Sequence, residues 1–97
     1  IKYKGLQVAP AELEASLLSH PAVADAAVVP YPDADAGEVP KAFVVLKGEA
    51  TAEELVAYVA SHHAPHKKIR HLEFIDKIPK SASGKILRRI LRDRAST

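Results

Sequence analysis

Hydrophobic residues in the first half of the chain recur at the spacing of a helix and then at that of strands. Leu13, Leu17 and Leu18 repeat at helical intervals after Pro10, which suits a first helical turn, and they predict a helix over residues 10–19. Acidic residues at 12 and 14 favour the positive end of that helix. Small and β-branched residues predict strands at 23–29 and 41–47, joined by a turn-forming loop at 31–37.

The second half predicts two more helices with a strand between them. Thr51 and Glu54 have the spacing of a capping box and begin a helix that Pro65 ends at the latest. Polar and apolar residues alternate over 71–76, which predicts a third strand, and a loop follows at 79–84. The last segment predicts an amphipathic helix, rich in arginine on one side, with an apolar face of Ile86, Leu87, Ile90 and Leu91.

The order of these elements predicts the fold class. Residues 1–8 carry a glycine between two short stretches, as in a β-hairpin. The chain then reads hairpin, helix, strand, strand, helix, strand, helix. This order predicts a small α+β domain, in which three helices pack on a mixed or antiparallel three-stranded sheet with an N-terminal β-hairpin. Because 97 residues suffice for one core and not for two, we expect residues 1–97 to form a single domain.

Composition excludes several classes of protein. The chain is 47% hydrophobic and 27% charged, which is typical of a globular domain and not of a disordered segment. It has no cysteine, so it has no disulfide and no thiolate metal ligand. A net charge of +2 is too small to indicate nucleic acid or an anionic membrane as a partner. No apolar run approaches the roughly 18 residues of a spanning helix, and we expect a cytoplasmic domain without a membrane partner.

The stretch PKSASGKILRR, residues 79–89, joins a loop rich in Ser and Gly to a lysine. It is not a P-loop, because Pro79 stands where a P-loop has its first glycine and Ile86 where it has Ser or Thr. Lys85 on a mobile loop nevertheless suits phosphate or carboxylate oxygens, and a helix N-terminus beside it would strengthen its attraction for anions. The alternative is a solvated lysine next to a helix cap.

The sequence contains other polar clusters that could form binding sites. Lys2 and Lys4 lie on one face if the N-terminus is extended, and with Gln7 they suit a phosphorylated ligand, although an ordinary exposed hairpin is the alternative. We expect no metal site, because cysteine or carboxylate ligands at regular spacing are missing around the histidines at 62, 63, 66 and 71. The basic residues at 67, 68 and 70 beside them predict a solvated surface, and the acidic residues at 33, 35 and 38 lack calcium-loop spacing and predict a turn.

Two further chemistries find little support. Ser81 and Ser83 lack a nucleophile-elbow sequence, so a Ser-His-Asp site is not indicated. The arginines of the last segment have no nucleic-acid recognition motif around them, and aromatic residues are only 5% of the chain. A small basic interaction module without catalysis therefore stays open as the alternative to an enzyme.

Three stretches in a fixed order resemble those of a known enzyme family. They are IKYKGLQVAPAELE at 1–14, DADAGEVPKAFVV at 33–45 and PKSASGKILRR at 79–89. Together they resemble the C-terminal domain of the acyl-adenylate-forming superfamily, and are most similar to 4-coumarate–CoA ligase and bacterial aryl- and acyl-CoA ligases; firefly luciferase is a relative. The resemblance covers essentially the whole chain, and three linked motifs are more specific than any one of them.

The resemblance implies an enzyme with two half-reactions. A carboxylate is activated with ATP and Mg²⁺ to an acyl-adenylate, pyrophosphate leaves, and the acyl group then passes to the thiol of coenzyme A. The implied partners are a large N-terminal domain of the same enzyme, which holds most of the pocket, a small carboxylic acid, ATP and coenzyme A. The small domain rotates between the two steps and is not expected to bind Mg²⁺.

The resemblance also implies roles for five residues. Lys85 matches the adenylation lysine, whose charge lies between the ATP α-phosphate and the attacking carboxylate. Lys2 and Gln7 match residues that approach the adenylate or the thioester-forming site after rotation. Lys4 and Gly5 match hairpin positions that contact coenzyme A, where a glycine lets the backbone pass close to the pantetheine arm.

We expect these 97 residues to be a fragment that folds but is inactive alone, because the sequence begins inside the first motif and the large domain is missing. A sibling alternative is the adenylation domain of a nonribosomal peptide synthetase, whose acceptor is a carrier-protein pantetheine. Those domains tend to have an Asn-Gly-Lys-Val type of motif. The sequence Ser83-Gly84-Lys85-Ile86 is more similar to that of the CoA ligases.

Overall fold

A computed structural model describes residues 1–95 and has one five-stranded sheet. The strands are β1 (Lys2–Tyr3), β2 (Leu6–Gln7), β3 (Val23–Asp33), β4 (Gly37–Leu46) and β5 (His71–Phe74). The helices are α1 (Pro10–Leu18), α2 (Ala52–Ala60) and α3 (Arg88–Ala95), with a short 3₁₀ helix at Pro65–Lys67. The α+β class predicted from the sequence is confirmed.

Strand β4 is the centre of the sheet. It pairs antiparallel with β3 along its whole length and parallel with β5, so the sheet is mixed. The hairpin, predicted as an addition to a three-stranded sheet, continues that sheet instead, because Tyr3 of β1 pairs with Gly37 of β4. Strand β3 continues past the predicted end at residue 29, and β4 begins before the predicted start at residue 41 and ends one residue before the predicted 47. The turn between them is confined to residues 34–36.

The carboxylate of Asp33 explains how so short a turn is closed. Its Oδ2 accepts hydrogen bonds from the backbone N–H of Asp35 at 3.2 Å and of Ala36 at 2.8 Å. This is the turn-forming role expected of the acidic residues here. The prolines nearby made the segment resemble a longer loop, but Pro30 and Pro40 pair opposite each other inside the β3–β4 ladder.

Both faces of the sheet are covered. Side chains of β3 and β4 alternate between a core beneath α1 and α2 and a second, smaller core beneath α3. Val28 and Val44 belong to the first core, Val29 and Phe43 to the second, and all four are fully buried. Burial on both faces explains why these strands are continuous apolar runs in the sequence and do not alternate strictly.

The two central helices largely match the sequence pattern. In α1, Leu13 and Leu17 are fully buried, whereas Leu18 is 47% exposed and does not join the core. The predicted N-cap of α2 is confirmed, since Thr51 Oγ1 accepts a hydrogen bond from the Glu54 N–H at 3.1 Å. No helix of residues 1–95 is both long and apolar enough to span a membrane.

Helix α3 begins later than its apolar spacing predicts. Ile86 lies before the helix and pairs with Lys80 in an antiparallel bridge, because the backbone there bonds across the loop and not along a helix. Within the predicted apolar face, Leu91 is buried, Ile86 is partly buried, and Ile90 is 53% exposed. The expectation that Lys85 adjoins a helix directly is therefore wrong: an extended segment separates the two.

Candidate functional site

The loop that carries Lys85 is closed by a small ladder of backbone hydrogen bonds. Ser81 N donates to Lys85 O, Gly84 N to Ser81 O and Leu87 N to Pro79 O, each at 2.9 Å. The Ser81 hydroxyl also accepts from Lys85 N at 3.2 Å. A loop that its Ser and Gly content predicted to be flexible is thus a hydrogen-bonded turn that holds its lysine in one place.

Gly84 gives this turn its shape and Lys85 its charge. The φ of Gly84 is +85°, a left-handed conformation that favours glycine, although no described atom outside residues 83–85 lies within 4 Å of where a Cβ would be. The side chain of Lys85 is exposed and makes no hydrogen bond or ion pair within residues 1–95. The loop therefore presents an ammonium group that can meet an anionic oxygen.

The base of the Lys85 loop is tied to the edge of β3. Lys80 Nζ lies 2.6 Å from Oδ2 of Asp25, whose other oxygen accepts from Ala26 N at 2.9 Å. No local sequence pattern predicts this pair, because the two residues are distant in sequence and each has the polar character of an exposed side chain.

A second ion pair ties the start of α3 to α1. Arg88 donates to Oε1 of Glu14, and Oε2 of Glu14 accepts from Val28 N at 2.8 Å. The side chain of Glu14 is only 8% exposed. Glu14 was expected to favour the positive end of α1, yet only Glu12 lies in the first turn. Its place three residues before the buried Leu17 was the one signal that it faces the interior.

The hairpin holds the other four predicted site residues. Lys2 and Gln7 are directly opposite each other in β1 and β2, so their side chains share one face, and both are exposed. Lys4 and Gly5 form the turn, with φ of 50° and 81°, as a type I′ hairpin requires. The predicted strip of Lys2 and Lys4 along one strand is therefore wrong, since the strand ends at Tyr3.

A shallow depression brings Lys4 close to the basic segment that follows α2. Arg70 stacks over the ring of Tyr3 at 5.0 Å and donates to its hydroxyl at 3.1 Å. Tyr3, Lys4, Asp33 and Arg70 line the depression, whose volume is about 220 Å³. No described atom outside residues 4–6 lies within 4 Å of a Cβ built on Gly5, so space stays open above the turn.

These two groups of residues lie at opposite ends of the sheet. The hairpin meets β4 at Gly37, whereas Asp25, which anchors the Lys85 loop, pairs with Val45. Val45 lies eight positions after Gly37 along the extended strand, which is about 26 Å at the usual rise per residue. The structure thus groups Lys2, Lys4, Gly5 and Gln7 and places the Lys85 loop at a distance from them.

The histidines do not form a metal site in the described part of the chain. Within the described part of the chain, no three His, Asp or Glu side chains are placed to hold a metal ion together. His62 Nδ1 lies 2.7 Å from the carbonyl oxygen of Tyr58, and the ring of His71 packs on Tyr31 with centroids 4.4 Å apart. These contacts are those of structural side chains.

The chain matches the family model described as the AMP-binding enzyme C-terminal domain over residues 12–85. It is 59% identical over 96 residues to 4-coumarate–CoA ligase-like 1 of Arabidopsis thaliana and 58% identical over 94 residues to 4-coumarate–CoA ligase of Pinus taeda. Each match covers 97% of this chain and 18% of the relative, so the chain spans less than a fifth of the length of these proteins.

Solved structures agree with this assignment. The o-succinylbenzoate CoA synthetase of Bacillus subtilis, in complex with its acyl-adenylate intermediate, is 40% identical with a TM-score of 0.90, and the match covers 95% of this chain and 19% of that one. A double mutant of the same enzyme, bound to a product analogue, is 41% identical with a TM-score of 0.92, over 96% of this chain and 19% of the other.

Proposed function

The chain belongs to the family of AMP-binding enzyme C-terminal domains, and on that basis we propose that it is the mobile C-terminal lid domain of an ATP-dependent carboxylate–CoA ligase. Residues 1–97 form one domain in this proposal, and a large N-terminal domain of the same enzyme holds most of the carboxylate and ATP pocket. Alone, the chain is expected to be inactive. The cytoplasmic location expected from the sequence stays a prediction.

Lys85 acts in the first half-reaction. A carboxylate oxygen attacks the α-phosphorus of ATP, the bond to the β-phosphate breaks, and pyrophosphate leaves. Negative charge builds on the oxygens around that phosphorus, where an exposed ammonium on an ordered loop would stabilise it. Residues 79–87 contain no carboxylate, the side chain that most often binds Mg²⁺ in proteins, and in this proposal the ion is held elsewhere in the enzyme.

The hairpin acts in the second half-reaction. The thiol of coenzyme A attacks the acyl carbonyl, the bond to the AMP oxygen breaks, and AMP leaves as the thioester forms. Lys2 and Gln7, side by side on one face, approach the adenylate, and Lys4 and Gly5 contact coenzyme A. Arg70 lies over the ring of Tyr3 beside this turn, and in this proposal it helps to bind a coenzyme A phosphate.

The separation of the two groups is the observation that carries this proposal. A reaction centre spans a few ångströms, whereas about 26 Å of β4 lies between the hairpin and the anchor of the Lys85 loop. Both groups can serve one centre only if the domain presents one end for adenylation and the other for thioester formation. Because the relatives are CoA ligases, a peptide synthetase domain or a basic module without catalysis is not favoured.

The experiment is Lys85→Ala in the full-length ligase, with each half-reaction measured separately. Pyrophosphate release should slow about a hundredfold or more, because a preorganised charge on the transition state is lost. Thioester formation from a supplied acyl-adenylate should keep its rate. Lys47→Ala is the matched control, since Lys47 is also exposed and has no ion pair within residues 1–95. Unchanged pyrophosphate release in Lys85→Ala would overturn the proposal.

A further inference from the structure

We propose that Glu14 and Arg88 are positioning residues that fix the Lys85 loop against the edge of β3, with Asp25 and Lys80 as a second anchor. The inference rests on the proposed role of Lys85, because a positioned loop matters most if its lysine must meet a reacting atom. Neither Glu14 nor Arg88 touches the substrate in this view; both act through Lys85.

The anchors depend on the edge of β3, which the described sheet leaves without a partner strand. N–H groups two residues apart on a strand point the same way, so those of Ala26 and Val28 face the same side. Asp25 accepts the first and Glu14 the second, each with one carboxylate oxygen. The other oxygen of each carboxylate then pairs with a cation of the Lys85 segment.

The Glu14–Arg88 pair fixes the position of α3 relative to α1 more strictly than a surface ion pair would. Helix α1 covers one face of the sheet and α3 the other, so this pair joins the two layers around the edge of β3. Glu14 is almost fully buried, and loss of Arg88 would leave its charge without a cation in a poorly hydrated place. The buried Arg88 Nε has no partner within residues 1–95, so Glu14 is the main polar contact of this side chain.

The two anchors flank the catalytic lysine on both sides. Lys80 precedes Lys85 by five residues and Arg88 follows it by three, and the ladder of the loop connects these points. Any shift of Arg88 therefore moves the backbone that carries Lys85. Misplacement of a reacting group by about 1 Å can cost a hundredfold in rate, which makes this placement relevant to catalysis.

The first test uses the 97-residue chain and does not depend on any ligase activity. In Arg88→Gln, hydrogen exchange should become at least about tenfold faster at the amides of Gly84, Lys85 and Leu87, as their loop opens more often. Amides of β4 should speed up by a smaller factor than the loop amides, which separates local opening of the loop from unfolding of the whole domain. Arg89→Gln is the matched control, since Arg89 is adjacent, exposed and without a partner within residues 1–95.

A second variant covers the case in which Arg88→Gln does not fold. Glu14→Gln retains an oxygen for Val28 N–H and removes the charge that holds Arg88. It should open the loop as Arg88→Gln does. Loop exchange that matches the wild-type rate in both Glu14→Gln and Arg88→Gln overturns the inference, and so does failure of both variants to fold, because the pair would then support the whole domain.

The second test uses the full-length ligase and separates positioning from general stability. In Arg88→Gln, kcat for pyrophosphate release should fall about tenfold to a hundredfold. Thioester formation from a supplied acyl-adenylate should be unaffected, and Arg88→Lys should restore part of the loss. A role in stability alone would slow both half-reactions together.

The outcomes distinguish this inference from the proposed function. If Lys85→Ala releases pyrophosphate at the normal rate, the proposed function fails, whatever Arg88 does. If Lys85→Ala is slow while Arg88→Gln and Glu14→Gln are normal, the proposed function stands and the positioning role is wrong. Slow pyrophosphate release in Arg88→Gln and in Lys85→Ala, with normal release in Arg89→Gln, is the result that both proposals require.

Discussion

Glu73 shows how a single carboxylate can join three elements of this domain. It accepts hydrogen bonds from Arg94 of α3 at 2.7 and 3.0 Å and from Lys41 of β4 at 3.3 Å. The hydrogen bond from Arg94 is the main reason that the pKa of the Glu73 carboxyl lies below its ordinary value. Because folding lowers this pKa, the charged carboxylate stabilises the folded state.

The stabilisation should therefore depend on pH in a defined direction. The contribution of Glu73 to the free energy of unfolding is complete above its unfolded pKa, about 4.3, and is lost as pH falls through the lower folded pKa. We expect the stability difference between wild type and Glu73→Gln to be largest near neutral pH and to shrink below about pH 4. Urea unfolding at a series of pH values measures it.

Glu49→Gln is the control for this titration, because Glu49 is exposed and unpaired within residues 1–95. Its unfolding free energy should follow that of the wild type at every pH. A stability difference for Glu73→Gln that stays constant from neutral to acid pH would contradict the assigned role of the ion pair.

The residues of the candidate site differ in how far the sequence could reveal them. Lys85 could be identified because a motif is a local pattern, and the loop around it is also local. Glu14 and Arg88 are 74 positions apart, and their contact exists only because two helices cover opposite faces of one sheet. No sequence pattern around either residue predicts this contact. From the sequence alone, Arg88 cannot be distinguished from the exposed arginines of the same helix.

Helices and strands were also predicted well where local interactions determine them and poorly where distant ones do. Helix α2 was predicted well, because the hydroxyl of Thr51 caps a helix only three residues away. The start of α3 was predicted too early, because Ile86 forms a bridge with Lys80 that competes with helix formation. The hairpin was placed outside the sheet because its single pairing, Tyr3 with Gly37, joins segments that are 34 residues apart.

The cap of α2 leads to a prediction at this scale. Thr51→Ala removes the side-chain acceptor for the N–H of Glu54 and should lower the free energy of unfolding by about 1 kcal/mol. Thr51→Ser keeps the hydroxyl and should change it little. Urea unfolding monitored by circular dichroism gives both values. An equal loss in the two variants would mean that the methyl group of Thr51, and not its hydroxyl, supports this helix end.

Across the whole molecule, the sheet separates the two ends to which the proposed function assigns different half-reactions. Its central strands are buried on both faces, so they hold the hairpin and the Lys85 loop at a fixed separation. A domain built in this way can switch between two tasks by turning as a body, without rearranging its own backbone. It follows that damage at one end should affect one half-reaction and spare the other.

Gly5→Asn tests this at the end away from Lys85. Asparagine tolerates a positive φ better than most residues, and no described atom outside residues 4–6 lies within 4 Å of the new Cβ, so the variant should fold with a small loss of stability from its φ of about +81°. In the full-length ligase the added side chain should obstruct the pantetheine arm and slow thioester formation from a supplied acyl-adenylate by about tenfold or more. Pyrophosphate release, which the proposed function assigns to the opposite end, should keep its rate.

This pattern is the reverse of that expected for Lys85→Ala, and together the two variants distinguish a rotating domain from a fixed one. If the hairpin and the Lys85 loop served one centre at the same time, a change at either end would disturb both steps. Equal slowing of both half-reactions in Gly5→Asn, with no more than that small loss of unfolding free energy, would therefore contradict the two-ended arrangement. Slowing of thioester formation alone is the result expected if Gly5 contacts coenzyme A and takes no part in adenylation.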